Sequence, residues 1–198
     1  MGGRLGPVGG NPDRRAQGGR SGEGSRPFEL KAREFIAAGA LSTGAQRSEP
    51  VEIFDRSEVE EAYRNFVVVG DSGDWNAWAD LHTVDGVWVE CHLGTFKGRE
   101  AIREAITSVM AAAPPDMFFP TPWHVIEGNR VVYYPVQALP DPKGGGEKYE
   151  FSCVTILDYA GNGEFSYQED VYNPRAGETV FKRWIAAGGV LPAGSNLL

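Results

Sequence analysis

From Trp123 to Pro174 the chain alternates apolar and polar residues almost without a break, and it doubles back twice. The run WHVIEGNRVVYYPVQAL turns at Glu127-Gly128-Asn129-Arg130, and KYEFSCVTILDYAGNGEFSYQEDVYNP turns at Ala160-Gly161-Asn162-Gly163. Period-two runs on either side of short Gly/Asn turns read as antiparallel hairpins. The segment DPKGGG between the runs is a flexible loop. Such a sheet exposes one apolar face, and something must cover it.

The preceding residues supply the cover. Ser57 followed by Glu60 has the pattern of a capping box, and Val59, Ala62, Tyr63, Phe66, Val67 and Gly70 recur behind it at helical spacing. SGDWNAWADLH predicts a second, short helix capped at Ser72 or Asp74. VDGVWVECH predicts a strand, a short strand follows between Gly94 and Gly98, and REAIREAITSVMAAA predicts a third helix stopped by Pro114-Pro115. Pro174 stops the last strand, and FKRWIAAGG is a terminal helix. Helices first and hairpins later make an α+β domain with helices on one face of the sheet. The expected limits are an N-terminal extension over 1–52, a folded domain over 53–189 and a flexible tail over 190–198. The extension is rich in Gly, Arg, Pro and Ser, a composition expected to stay disordered. FELKAREFIAAGAL within it, 28–41, is predicted to form at most an amphipathic turn or two.

Charge narrows the partners. Residues 1–48 carry 8 Lys+Arg against 4 Asp+Glu, a net of +4, and the remainder carries 11 against 23, a net of −12. An acidic body lacks the clustered cations that a phosphate backbone needs, so no nucleic-acid partner is expected. No apolar run reaches the ~20 residues of a membrane span, and no membrane partner is expected. Cys91 and Cys153 are too few for a disulfide framework, which points to reduced thiols and a cytoplasmic setting. His82, His92 and His124 show no zinc-ligand spacing with either cysteine, so no metal is expected.

The order of elements, the GTFKGREAI step at 94–102 and the closing EDVYNP at 169–174 resemble the nuclear transport factor 2-like superfamily, its SnoaL-like branch above all. The resemblance spans roughly residues 55–189. It implies a cone: a curved antiparallel sheet around a deep apolar cavity, closed by helices. Members include ketosteroid isomerase, limonene-epoxide hydrolase, scytalone dehydratase, polyketide cyclases, dioxygenase small subunits and non-catalytic binders. Fold alone therefore does not fix function.

The candidate site residues lie on the strands. Alternation sets Val87, Val89 and Cys91 against Trp88, Glu90 and His92. By the resemblance, the isomerase's base falls at Cys91 and its acid partner near Thr155, and neither residue replaces a carboxyl. A bulge that turned His92 inward would make it a base. In the last strand Phe165, Tyr167, Glu169 and Val171 alternate with Ser166, Gln168, Asp170 and Tyr172. The hydrolase's catalytic aspartate corresponds to Asp170, although no Arg-x-Asp pattern completes that enzyme's set. The catalytic candidates are Asp170, His92, His124 and Tyr63. Trp78, Trp88, Cys91, Phe118, Phe119, Tyr134 and Tyr172 are the candidates for binding substrate, and Met117, Phe118 and Phe119 for an apolar lid.

These readings lead to a small cofactor-independent enzyme that transfers protons on a hydrophobic, polycyclic or terpenoid-like substrate. The alternatives are a binder of hydrophobic small molecules and an accessory subunit of a larger enzyme. A homodimer through the sheet is implied by the resemblance.

Overall fold

The computed structural model describes residues 52–195. The expected extension up to residue 51, with its amphipathic stretch at 28–41, lies outside them, as do residues 196–198 of the expected tail. Helix α1 (Arg56–Ser72) begins at Asp55, whose carbonyl accepts from the N–H groups of Glu58 and Val59. The expected capping box therefore does not form. Ser57 is already inside the helix, and the Glu60 carboxylate reaches sideways to His124 at 3.1 Å instead of back to the helix start. Gly73, at φ 73°, ends α1 in the left-handed conformation that a side chain would resist. Helix α2 (Trp75–Asp80) is capped by Asp74, which accepts from Ala77 N–H at 3.0 Å.

Strands β1 (His82–Glu90) and β2 (Gly94–Lys97) form a hairpin, followed by helix α3 (Arg99–Ala112). The first long alternating run gives three strands rather than two: β3 (His124–Glu127), β4 (Arg130–Tyr133) and β5 (Val136–Leu139). Pro135 supplies no N–H to a ladder, so the run breaks at Tyr134-Pro135. Strands β6 (Tyr149–Gly161) and β7 (Glu164–Tyr172) follow. Helix α4 (Pro174–Ala187) starts earlier than FKRWIAAGG suggested. Asn173 caps it by accepting from Arg175 N–H, and Pro174 fits its first turn, where no N–H is needed.

The sheet runs β2-β1-β7-β6-β4-β3, with β5 also paired to β6. Strand β6 is the spine. Its first half pairs with β5 and its second half with β4, so the sheet changes direction where Cys153 N–H donates to Pro135 O. This bend curves the sheet around its inner face. Val131, Leu157 and Phe165 on that face are fully buried and pack with Val59, Phe66 and Ile102 from the helices. Leu139, Tyr149, Val180, Phe181 and Trp184 make a second cluster under α4.

Two irregularities matter for the site. In β7 the pairing with β6 shifts between Asp158 and Tyr159, so Phe165 and Gln168 both point inward although three positions apart. Strict alternation from Phe165 would have put Gln168, Asp170 and Tyr172 on the other face. In β1 the pairing with β7 jumps between His82 and Val87, so the intervening residues loop out and His82 stays buried.

Leu157 joins the spine to the core, so Leu157→Ala should lower unfolding stability by about 2–5 kcal/mol. Urea denaturation should show a lower midpoint with an unchanged slope, whereas Val84→Ala at an exposed position should shift it little.

Candidate active site

The register of the sheet places one row of polar residues across four adjacent strands. Tyr133 of β4 pairs with Thr155 of β6, Thr155 with Asp170 of β7, and Asp170 with Glu90 of β1. The next row is Val131, Leu157, Gln168 and Trp88. A polar row in the middle of an apolar concave face costs stability unless its members satisfy one another.

They do so around Asp170. Its Oδ1 accepts from the Thr155 hydroxyl at 2.5 Å, and its Oδ2 accepts from Trp88 Nε1–H at 2.7 Å and from Gln168 Nε2–H at 2.9 Å. Because the Gln168 amide nitrogen donates to Asp170, its oxygen is left to accept. That oxygen lies 3.0 Å from His82 Nε2, which must then carry the proton. Burial lowers the proton affinity of His82, which keeps its imidazole neutral. Asp170 moves the other way. Burial raises its pKa, the bonds from Thr155, Trp88 and Gln168 oppose that rise, and the charge of Glu90 adds to it.

Glu90 is 6% exposed, and its Oε2 accepts from the backbone N–H groups of His92 and Leu93 at 2.8 and 2.5 Å. Beside it, burial and the Glu90 carboxylate push the Tyr172 hydroxyl far above its ordinary pKa. Tyr133 is raised well above the ordinary tyrosine value by burial first and by Asp170 second, so it remains a protonated donor. The Cys153 thiol is pushed up to about 12 by the same two causes, which leaves it without nucleophilic thiolate at neutral pH.

A cavity of about 240 Å3 opens onto this row. The helices supply Phe66, Trp75, Trp78, Ile106 and Phe181 to its walls, and Met117 and Phe119 close it from the segment after α3. Asp170, Glu90, Tyr133, Tyr172, Trp88 and Gln168 all face it. No group of three His, Cys, Asp or Glu side chains suited to a metal ion occurs among the described residues.

Of the residues singled out from the sequence, Asp170, Trp78, Trp88, Met117, Phe119 and Tyr172 line this cavity. The others lie elsewhere. Strand β1 ends at Glu90, so its alternation does not carry to the exposed Cys91 and His92. Cys91 Sγ donates to Tyr172 O at 3.5 Å, and burial raises its pKa, while His92 contributes its backbone N–H to Glu90. His124 sits between Glu60 and the Tyr63 ring, whose centroid is 4.4 Å away, in the contact of β3 with α1. Burial pushes Tyr63 up to about 12. Tyr134 stacks on Trp123 at 5.2 Å, on the face opposite Tyr133. Phe118 and Ala138 exchange backbone hydrogen bonds, which leaves the Phe118 side chain exposed while Met117 and Phe119 reach the cavity.

Four polar residues of the site were not singled out: His82, Glu90, Tyr133 and Gln168. Glu90 was within reach, since alternation puts it on the face of Trp88. Continuing the turn pairing Gly161↔Glu164 by counting also sets Thr155 opposite Asp170. His82 gave no such signal, because the irregularity after it breaks the pattern.

The model of the SnoaL-like domain matches residues 59–166. No curated protein matches the sequence significantly. Among solved structures, TerC co-crystallised with polyporic acid shares 18% identity at a TM-score of 0.50, covering 65% of this chain and 98% of its own. An NTF2-like protein of unknown function from Burkholderia pseudomallei shares 18% identity at a TM-score of 0.51, with coverage of 66% and 98%. An LEH-like epoxide hydrolase of M. tuberculosis shares 14% at 0.51, with coverage of 66% and 94%. At such identities the likeness is one of fold. With the curved sheet, its covering helices and a family match over more than half of its length, the chain belongs to the SnoaL-like domain family, within the nuclear transport factor 2-like fold.

Proposed function

We propose that the protein is a small cofactor-independent enzyme that moves a proton on a hydrophobic substrate, with Asp170 as the base. One observation carries this reading. An ionised carboxylate offers about four acceptor positions, and protein donors fill three of those on Asp170. The fourth belongs to Oδ1, on a carboxylate that faces the cavity. Burial raises the proton affinity of that carboxylate and the three donors restrain the rise, which suits a group that takes a proton and returns it.

Proton abstraction next to a carbonyl leaves negative charge on the substrate oxygen, which needs a donor that stays protonated. Tyr133 is such a donor, two strands from Asp170 on the same row. The proton passes from substrate carbon to Asp170 Oδ1 and returns to the enolate at another carbon, so the net result is an isomerisation; where the enolate carbon instead attacks a carbonyl of the same molecule, a ring closes and the proton goes to the new alkoxide. Water addition to an epoxide is a weaker fit, since no Arg, Lys or His among the described residues lines the cavity to assist the leaving oxygen.

Incubation in D2O with a panel of small cyclic enones and aryl ketones tests this. The wild type should catalyse deuterium uptake at the acidic carbon, read by mass spectrometry. Asp170→Asn should slow it by about 10²–10⁴-fold, and Tyr133→Phe by about 10²-fold. Equal exchange by wild type and Asp170→Asn would remove Asp170 from the chemistry.

We also propose that two copies pair through the outer face of the sheet, where Trp123, Val125 and Val171 are 46%, 56% and 47% exposed. Sedimentation velocity should give a two-chain mass for the wild type and a one-chain mass for the Val125→Glu/Val171→Glu double variant. A one-chain mass for both would exclude the pairing.

A further inference from the structure

The charge of the cavity wall is one-sided. Among the described residues three carboxylates line it, those of Asp71, Glu90 and Asp170, and no Lys, Arg or His does. Neither Glu90 nor Asp170 forms an ion pair among the described residues. Around the acids stand nine aromatic lining residues, five of them Trp75, Trp78, Trp88, Tyr133 and Tyr172. A neutral apolar ligand would fill this space but leave both carboxylates without a counter-charge.

Hydrogen bonds hold these carboxylates without neutralising them. The one open position of Asp170, on Oδ1, is kept for the substrate's proton. Glu90 is more than nine-tenths buried and faces the cavity; it accepts from two backbone N–H groups through Oε2 and from the Tyr172 side chain, and none of these donors carries a charge. A buried carboxylate held only by neutral donors favours a positive charge from the cavity side. Aromatic faces arranged around a carboxylate attract organic cations through their quadrupoles while burying the apolar body of the same molecule.

We infer that the molecule this cavity takes is a hydrophobic organic cation, an ammonium-bearing compound whose charge lies toward Glu90 and whose apolar part lies against the tryptophans. This rests on the reading that the cavity is the site, and it names the substrate class for that site. Asp71 is exposed at the end of α1 and places a third negative charge at the rim, where it would draw a cation inward.

A pair of probes equal in shape and different in charge tests this: phenyltrimethylammonium and tert-butylbenzene. Binding is followed by NMR through the indole N–H signal of Trp88, whose Nε1 donates to Asp170. Phenyltrimethylammonium should bind about tenfold tighter or more. Glu90→Gln, whose amide oxygen can still accept from His92 and Leu93, should erase most of the difference and leave tert-butylbenzene unaffected. The exposed Asp71→Asn change should weaken only the cation, and more at low salt, which keeps the test valid if the buried variant does not fold. Equal or tighter binding of tert-butylbenzene overturns the cation assignment and leaves the cavity as the site. If neither probe moves the Trp88 signal, the cavity itself is not the site, and both readings fall.

Discussion

The rest of the site depends on how the sheet accommodates the carboxylate of Asp170. A charge on the concave face of an apolar sheet would cost several kcal/mol without partners. Each partner comes from a different place in the chain: a hydroxyl on β6, an indole on β1 and an amide two residues earlier on β7. Fixing three donors on one carboxylate fixes the relative register of β1, β6 and β7. It also fixes the rotamer of Gln168, whose oxygen then determines which nitrogen of His82 holds the proton. The order of the polar row follows from one interaction, and the apolar rows on the same face keep bulk water away from it.

Curvature turns that row into a site. Strand β6 hands its pairing from β5 to β4 at the break made by Pro135, so the sheet bends around the row. The helices then meet over the concavity instead of lying flat on a plane. Their aromatic side chains wall the space, and the segment from Pro114 onward closes it with Met117 and Phe119. The stable part of the molecule, strands packed on fully buried residues such as Leu157 and Phe165, therefore lies directly beneath the polar row. This is the arrangement that holds a catalytic geometry rigid.

Much of this was legible in the sequence, for physical reasons that differ from residue to residue. The two hairpins announced themselves by period and turn chemistry, and the helices by apolar spacing and by the paired prolines after α3. Asp170 stood out by resemblance, because the epoxide hydrolase carries its catalytic aspartate at the corresponding place in a similar closing strand. His92 misled because alternation was carried past the end of β1, where the backbone N–H groups of His92 and Leu93 fold back onto Glu90. His124 and Tyr63 are reactive types in buried or half-buried places, yet their rings pack on each other and His124 pairs with Glu60 in a helix–strand contact. His82 was hidden by the irregular pairing that follows it, and Tyr133 by the neighbouring Tyr134, which has the same side chain on the opposite face. Alternation cannot choose between two adjacent tyrosines until the cross-strand register is known.

The central claim is that Asp170 is a half-buried carboxylate whose proton affinity is raised yet still adjustable, and that it faces an apolar cavity. Its titration measures this most directly, followed through the 13C carboxyl resonance in protein labelled at aspartate and assigned with Asp170→Asn. The account predicts a midpoint above the ordinary value of about 3.9 for aspartate, with the Trp88 indole N–H signal shifting through the same midpoint as its acceptor gains a proton. A midpoint at or below that ordinary value would mean that the three donors outweigh burial. Asp170 would then be a fixed structural anion, and the site as described would have no base.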